Sequence, residues 1–337
     1  MVTPLFVNDL SMTNNSDYTI ETVELVRDFG RARAVDQLNL NVRPGEIYGF
    51  LGPNGAGKST VVRMLTTLLL PSGGKATVAG YDVVQKPTEV RLRIGAALQE
   101  AALDKKQTGR ELLDLQGRLY GLSGRTTRRR IDELLELVDI GDAVDRLIET
   151  YSGGMKRRLD LAASLIHNPA VLFLDEPTTG LDPISRSKVW DEIYRINNEL
   201  RMTIFLTTQY LDEADRLAHR VGIINHGKIV AEAPPEILKK SVGSDVILVT
   251  LNGPIEPALE LCKKLPSVKF TEAHGDELTI SVTNGAQAIG PIAVALNQAD
   301  IAINEITLRT PTLDDVFLHY TGLRLAEEVE AVEWKDL

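Results

Sequence analysis

Apolar and polar residues alternate through Glu21–Phe29 and again through Gln37–Val42, the period-two pattern of strands with one buried face. Arg43-Pro44-Gly45-Glu46 forms a turn, and Ile47–Leu51 is a short apolar run leading into a glycine-rich loop. Beyond that loop the spacing predicts a helix from about Lys58 to Leu70, stopped by Pro71–Gly74. A longer helical stretch is expected from about Thr108 to Leu147, with Leu112, Leu115, Leu119, Ile131, Leu134, Leu135 and Val138 at helical spacing. Arg128–Arg130 inside it read as a solvated helix face. Short apolar runs at Val171–Asp175 and Thr203–Thr207 alternate with helices, which predicts a parallel sheet covered on both faces.

The pattern resets after about Lys240. Strands are expected at Asp245–Leu251, Val268–Ala273, Leu278–Val282 and Ile301–Leu308, with helices near Pro257–Leu265 and Ala286–Gln298. The order β-α-β-β-α-β is that of a small ferredoxin-like α+β domain. Four segments follow: a flexible, polar N-terminal arm over residues 1–20, a larger domain over 21–240, a smaller one over 241–322, and an acidic tail over 323–337.

Composition narrows the function. A chain of 337 residues with a formal net charge of −10 lacks the positive field that broad, non-specific nucleic-acid binding requires. The tail from Leu323 holds two basic and five acidic residues and so carries part of that charge. Cys262 is the single cysteine, so neither an internal disulfide nor a cysteine-built metal site is available. The most apolar stretches, Val61–Leu70 and Leu161–Leu174, are interrupted and fall short of the roughly 20 residues a bilayer-spanning helix needs. The N-terminus has neither a basic start nor a continuous apolar run, so no signal peptide is expected. A cytoplasmic chain that does not cross a membrane by itself is the expectation.

Three motifs carry chemistry. Gly52-Pro53-Asn54-Gly55-Ala56-Gly57-Lys58-Ser59 fits G-x-x-x-x-G-K-[ST] and lies between a predicted strand and a predicted helix. Its glycines let successive N–H groups converge on a phosphate at a positive helix end. Lys58 is placed to reach the β- and γ-phosphates, and the Ser59 hydroxyl to ligate Mg²⁺. Next, Val171–Leu174 end in Asp175 and Glu176, two carboxylates at the carboxyl end of a buried strand, where open α/β sheets bind ligands. Asp175 suits Mg²⁺, and Glu176 suits orienting or deprotonating an attacking water. Third, Ser152-Gly153-Gly154 precede an apolar-spaced helix and offer a second anion-seeking helix start. One nucleotide needs a single such loop for its terminal phosphates, so the second points to a nucleotide shared between two subunits.

With these motifs in place, residues from about Glu21 to Lys240 resemble the ATP-binding subunits of ABC transporters. Gly52–Ser59 looks like the Walker A loop, Leu172–Glu176 like Walker B, and Tyr151–Met155 like the LSGGQ signature with its first and last letters replaced. The resemblance implies ATP and Mg²⁺ as cofactors. It assigns nucleotide contacts to Gly52, Asn54, Gly55, Ala56, Gly57, Lys58, Ser59 and Thr60, and to Ser152, Gly153 and Gly154 across a dimer. It places Gln99 at the Q-loop, where the family binds Mg²⁺ and senses its transmembrane partner, Asp182 in the D-loop, and Phe29 where a ring stacks on adenine. Lys58, Glu176 and Gln209 become the catalytic candidates, and Ser59, Gln99 and Asp175 the metal ligands.

Gln209 is a departure, standing where the family's switch segment carries histidine; its amide donates a hydrogen bond but does not titrate. Thr207–Asp215, Tyr151–Ala162 and Pro311–Phe317 with Thr321-Gly322 resemble the daunorubicin-resistance type of drug-export ATPase. The implied fold is an α/β P-loop ATPase domain, with a parallel sheet core, an antiparallel β layer and an α-helical insert, followed by the smaller α+β domain. The implied function is to power a separately encoded membrane permease exporting a drug, antibiotic or lipid-like compound, as a homodimer on the cytoplasmic face of the membrane. The alternative is a non-transport or regulatory ATPase, weakly hydrolytic because of Gln209. A nucleic-acid or ribosome ATPase is disfavoured, because one cassette is present and no heptad run.

Overall fold

The computed structural model describes residues 17–98, 103–252, 255–275 and 277–322. The expectations for Gln99, for most of the N-terminal arm and for the acidic tail therefore lie outside the described residues. The chain divides into two compact units between Pro235 and Glu236.

In the first unit, β1 (Ile20–Phe29) and β2 (Ala32–Val42) form an antiparallel hairpin. β3 (Ile47–Leu51) is fully buried and runs into the glycine loop and α1 (Lys58–Leu65). This helix ends five residues earlier than its apolar run predicts. Thr66 turns its hydroxyl back onto the Val62 carbonyl at 2.8 Å, and Thr67 takes a left-handed φ of 64°, which a continuing helix excludes. β4 (Gly73–Val78) and β5 (Tyr81–Asp82) complete a four-stranded antiparallel layer in the order β2-β1-β4-β5.

The short α2 (Pro87–Arg91) leads to β6 (Ile94–Ala97). The long helical stretch is two helices, α3 (Gly109–Leu119) and α4 (Gly124–Leu137), followed by two 3₁₀ turns at Gly141–Asp145 and Ile148–Thr150. Gly121 breaks it with a left-handed φ of 77°, and Ser123 caps α4 through the Thr126 N–H. Of the predicted solvated arginines, Arg128 and Arg129 are exposed, whereas Arg130 donates to the Leu165 carbonyl and Asn168.

α5 (Gly153–Leu165), β7 (Val171–Asp175), α6 (Pro183–Leu200), β8 (Thr203–Thr208), α7 (Leu211–Leu217), β9 (Arg220–Asn225) and β10 (Lys228–Ala233) complete the unit. The second sheet runs β10-β9-β3-β8-β7-β6, parallel except for the β10–β9 pair. Tyr48, Phe50 and Phe173 surround Phe205 with ring centroids 5.5–5.7 Å apart, an apolar cluster spanning β3, β8 and β7. Because these strands are neighbours and parallel, their carboxyl ends open side by side on one edge.

The second unit begins in the first turn of α8 (Pro235–Val242). It contains β11 (Asp245–Asn252), α9 (Glu256–Lys263), β12 (Val268–His274), β13 (Glu277–Val282), α10 (Gly285–Gln298), β14 (Ala302–Arg309) and α11 (Leu313–Thr321). Its antiparallel sheet has the order β12-β13-β11-β14, the ferredoxin-like arrangement expected from the element order. Ile247, Val249, Leu278, Ile280, Ala288 and Ile292 fill its core at full burial.

Candidate functional site

The glycine loop is shaped by crowding as much as by conformation. A Cβ at Gly52 would stand 2.5 Å from the Ile224 carbonyl, and one at Gly57, whose φ is 110°, 2.5 Å from the Ala34 carbonyl. Only glycine lets the loop press between β9 and the β1–β2 hairpin and still enter α1. Asn54 and Gly55 form its exposed tip, whereas Ala56, Gly57 and Lys58 are buried. No side chain caps α1, which starts from Gly57 in a left-handed conformation.

Lys58 folds its ammonium under this loop, donating to the Gly52 carbonyl at 2.7 Å and the Pro53 carbonyl at 3.1 Å. It also lies 3.5 Å from Glu176 Oε1, with both side chains nearly buried. Ser59 Oγ stands 3.3 Å from Asp175 Oδ1, so a hydroxyl from α1 meets a carboxylate from β7. Such an oxygen pair suits a hard divalent cation. Thr60 is half-buried one residue further along α1.

Two polar side chains were not among the sequence expectations: one joins this cluster, and one holds the chain just beyond it. The Thr207 hydroxyl, at the end of β8, donates to Asp175 Oδ1 at 2.5 Å. Glu213, fully buried in α7, accepts from the Thr178 hydroxyl and from Trp190 Nε1, each at 2.8 Å. Burial pushes the Glu213 carboxyl above its usual range, opposed by those hydrogen bonds. In sequence, Thr207 looks like part of an apolar strand and Glu213 like one of several acids on a short helix; neither carries a local motif.

The other expected residues fall into two groups. Ser152 caps α5 by accepting the Met155 N–H at 3.3 Å. A Cβ on Gly153 would meet Leu181 at 3.5 Å and one on Gly154 would meet Ser185 Oγ at 3.3 Å, so this helix start lies against the first turn of α6. Asp182 caps α6, accepting from Ile184 N, Ser185 N and Ser185 Oγ at 3.1, 3.0 and 2.6 Å. The Ser185 hydroxyl, with the backbone donors, holds its carboxyl below the usual range. Gln209 is half-buried just after β8. Phe29 ends β1 with about half its surface exposed (47%) and the Arg27 guanidinium 4.5 Å from its ring centroid.

One turn into α5, Arg157 donates to the carbonyl of Asp175 at 3.3 Å and that of Pro177 at 2.8 Å. Its neighbour Asp160, 3.3 Å away, has a carboxyl raised to about 6 by burial, a rise that the Arg157 charge opposes.

A glycine loop with a lysine and a hydroxyl after β3, meeting two carboxylates at the end of β7 on the far side of β8, is the arrangement of P-loop nucleotide sites. Comparison with known proteins agrees. Residues 35–179 match the ABC transporter family and residues 234–321 the C-terminal domain of ATP-binding protein DrrA1-3-like chains. The daunorubicin resistance ATP-binding protein DrrA2 of Streptomyces coeruleorubidus is 47% identical over 94% of this chain and 98% of its own length. The daunorubicin/doxorubicin resistance ATP-binding protein DrrA of Streptomyces peucetius is 46% identical over 92% of this chain and 94% of its own. Among solved structures, cbiO1 from Clostridium perfringens, part of the ABC transporter complex cbiONQ, superposes with a TM-score of 0.63 at 25% identity, over 74% of this chain and 97% of that one. The chain belongs to the ATP-binding proteins of ABC transporters, in the group of the daunorubicin-resistance ATP-binding proteins. It binds ATP and is an ATPase of that family.

Proposed function

We propose that this ATPase powers a separately encoded membrane permease that exports a drug, antibiotic or lipid-like compound, and that it works from the cytoplasmic face as a homodimer. The observation that carries the reading is the convergence of Lys58, Ser59, Asp175 and Glu176 at the carboxyl edge of the parallel sheet, in a chain whose relatives include resistance proteins over nearly their full length. Among the described residues no helix is long and apolar enough to cross a membrane, so the pathway for the cargo falls to a partner.

In this reading the N–H groups of Gly55, Gly57 and the start of α1 bind the β- and γ-phosphates, Lys58 neutralises them, and Phe29 stacks on the adenine. Ser59 and Asp175 hold Mg²⁺, together with Gln99, and the metal offsets phosphate charge. Glu176, beside Lys58, orients and deprotonates the attacking water. Gln209 donates a hydrogen bond toward the γ-phosphate. Ser152, Gly153 and Gly154 of the second copy close over the same nucleotide, beside Asp182. Nucleotide thereby favours the closed dimer, and hydrolysis with release reopens it. The domain limits that fit this division of labour are 21–240 for the ATPase and 241–322 for the accessory domain.

Glu176→Gln tests it. The variant is expected to bind ATP, lose nearly all phosphate release, and elute as a dimer in ATP by size-exclusion chromatography. Sustained hydrolysis rejects Glu176 as the water-activating residue; a monomer at saturating ATP rejects the shared site.

A further inference from the structure

We infer that Arg157 is a positioning residue for ATP hydrolysis, fixing the backbone on which Glu176 stands and tying it to the strand that precedes Gln99. The inference rests on the reading of Glu176 as the water-activating carboxylate and deepens that site.

Glu176 takes a left-handed backbone, φ 48°, which a side-chain-bearing residue adopts only where its surroundings hold it there. Its N–H donates to the Thr207 carbonyl and hydroxyl, each at 3.1 Å. The carbonyls on either side of it, of Asp175 and Pro177, both accept from the one guanidinium of Arg157. The strained residue is therefore gripped from both flanks by a single side chain.

The rest of that guanidinium is equally committed. Nη1 donates to the Leu98 carbonyl at 2.9 Å and lies 3.3 Å from Asp160, and Nη2 reaches the Ala97 carbonyl at 3.4 Å. Nε serves Pro177, and Nη2 also serves Asp175, so the five N–H donors of the arginine have five acceptors. The side chain is only 12% exposed, and Asp160 offsets its charge. Two of the acceptors lie at and just beyond the end of β6, two flank Glu176 at and beyond the end of β7, and the donor stands on α5, which Ser152 caps.

Arginine is the one side chain with five donors in a planar fork. Lysine offers three donors from a point, and a glutamine amide two. Replacement therefore releases the Asp175 and Pro177 carbonyls around Glu176, whereas none of the hydrogen bonds of Arg157 goes to the glycine loop, Lys58 or Ser59. The carboxylate is misplaced, and the nucleotide's phosphate contacts are not.

The test uses the full-length chain carrying Arg157→Lys or Arg157→Gln, with Glu176→Gln prepared in parallel. Steady-state ATPase kinetics and equilibrium ATP binding are measured, with thermal unfolding as the check on folding. For Arg157→Lys, which keeps the charge, kcat is expected to fall by about tenfold or more while KM and the ATP dissociation constant stay within about threefold. Arg157→Gln is expected to lose at least as much. If the glutamine variant does not fold, the lysine variant decides. Unchanged kcat in Arg157→Lys overturns the inference, and so does a loss of ATP affinity as large as the loss of rate, which marks a structural role alone. If Glu176→Gln hydrolyses ATP normally, the underlying reading of Glu176 fails; if it is inactive while Arg157→Lys matches the unsubstituted protein, only the role of Arg157 fails.

Discussion

Thr207 and Asp175 share a 2.5 Å hydrogen bond between hydroxyl and carboxylate at the carboxyl ends of two parallel strands, and the same hydroxyl accepts the Glu176 N–H at 3.1 Å. One buried side chain thus orients the residue proposed to bind the metal and the residue proposed to activate water. Thr207→Val keeps the branched shape but takes the hydroxyl donor from the buried Asp175 carboxylate, while the Glu176 N–H keeps only the carbonyl of residue 207. It is expected to destabilise the protein by about 1–3 kcal/mol in urea unfolding and to lower kcat more than it changes KM. Thr207→Ser, which keeps the hydroxyl, is expected to stay near the unsubstituted protein in both measurements. Equal behaviour of the two variants counts against the role of the hydroxyl.

Gln209 follows β8 in a half-buried position, two residues beyond Thr207. Gln209→His introduces a titratable ring into the segment proposed to face the γ-phosphate. The expected outcome is unchanged melting temperature and ATP affinity, an altered turnover, and a new dependence of rate on pH around the imidazole range of about 6.5. Identical rates at every pH remove Gln209 from the reaction; a large loss of nucleotide binding gives it another role. If the unsubstituted chain releases no phosphate while Gln209→His does, the regulatory alternative is the better one.

Glu192 lies on α6 at 5% exposure, with its carboxylate 3.7 Å from the Arg158 guanidinium. Burial raises its carboxyl to about 7, against the pull of Arg158. Because the folded-state value exceeds the unfolded one, the folded protein binds the proton more tightly. The stability this contributes is complete below about pH 4.5 and is lost as pH rises through about 7. Glu192→Gln has no such loss. Its stability relative to the unsubstituted protein is therefore expected to improve by about 1 kcal/mol or more between pH 5 and pH 8. Thermal melts at both pH values check this; a difference that does not change with pH shows that Glu192 is not the group responsible.

Legibility followed the range of the interactions. The glycine loop, the Ser152 cap and the Asp175-Glu176 pair are contiguous, and their demands on backbone and charge fall on neighbouring residues. The helix boundaries were less legible: Gly121 and Ser123 split a continuous apolar periodicity into α3 and α4 by local backbone and cap geometry. Strand β6 is nearly invisible in sequence, because Ile-Gly-Ala-Ala carries little β propensity. Packing explains its composition, since a Cβ on Gly95 would stand 2.3 Å from the Ser164 carbonyl of α5. The ferredoxin-like unit was legible as an element order, because its two-residue alternation and helical spacing are each local signals.

By itself, then, the sequence determined the glycine loop before α1, the paired carboxylates after β7, the serine-capped start of α5 and the order of elements in the smaller unit. Each is written in residues within a few positions of one another, where conformational preference and charge act directly. Only the tertiary structure decided which distant side chains support them. Thr207 meets Asp175 because β7 and β8 are parallel neighbours, and Glu213 meets Thr178 and Trp190 because α7 packs beside α6. Arg157 reaches carbonyls 18 to 60 residues away because α5 lies over the ends of β6 and β7. Such convergence is set by which apolar faces bury against each other, a global property of the fold that no short stretch of chain encodes.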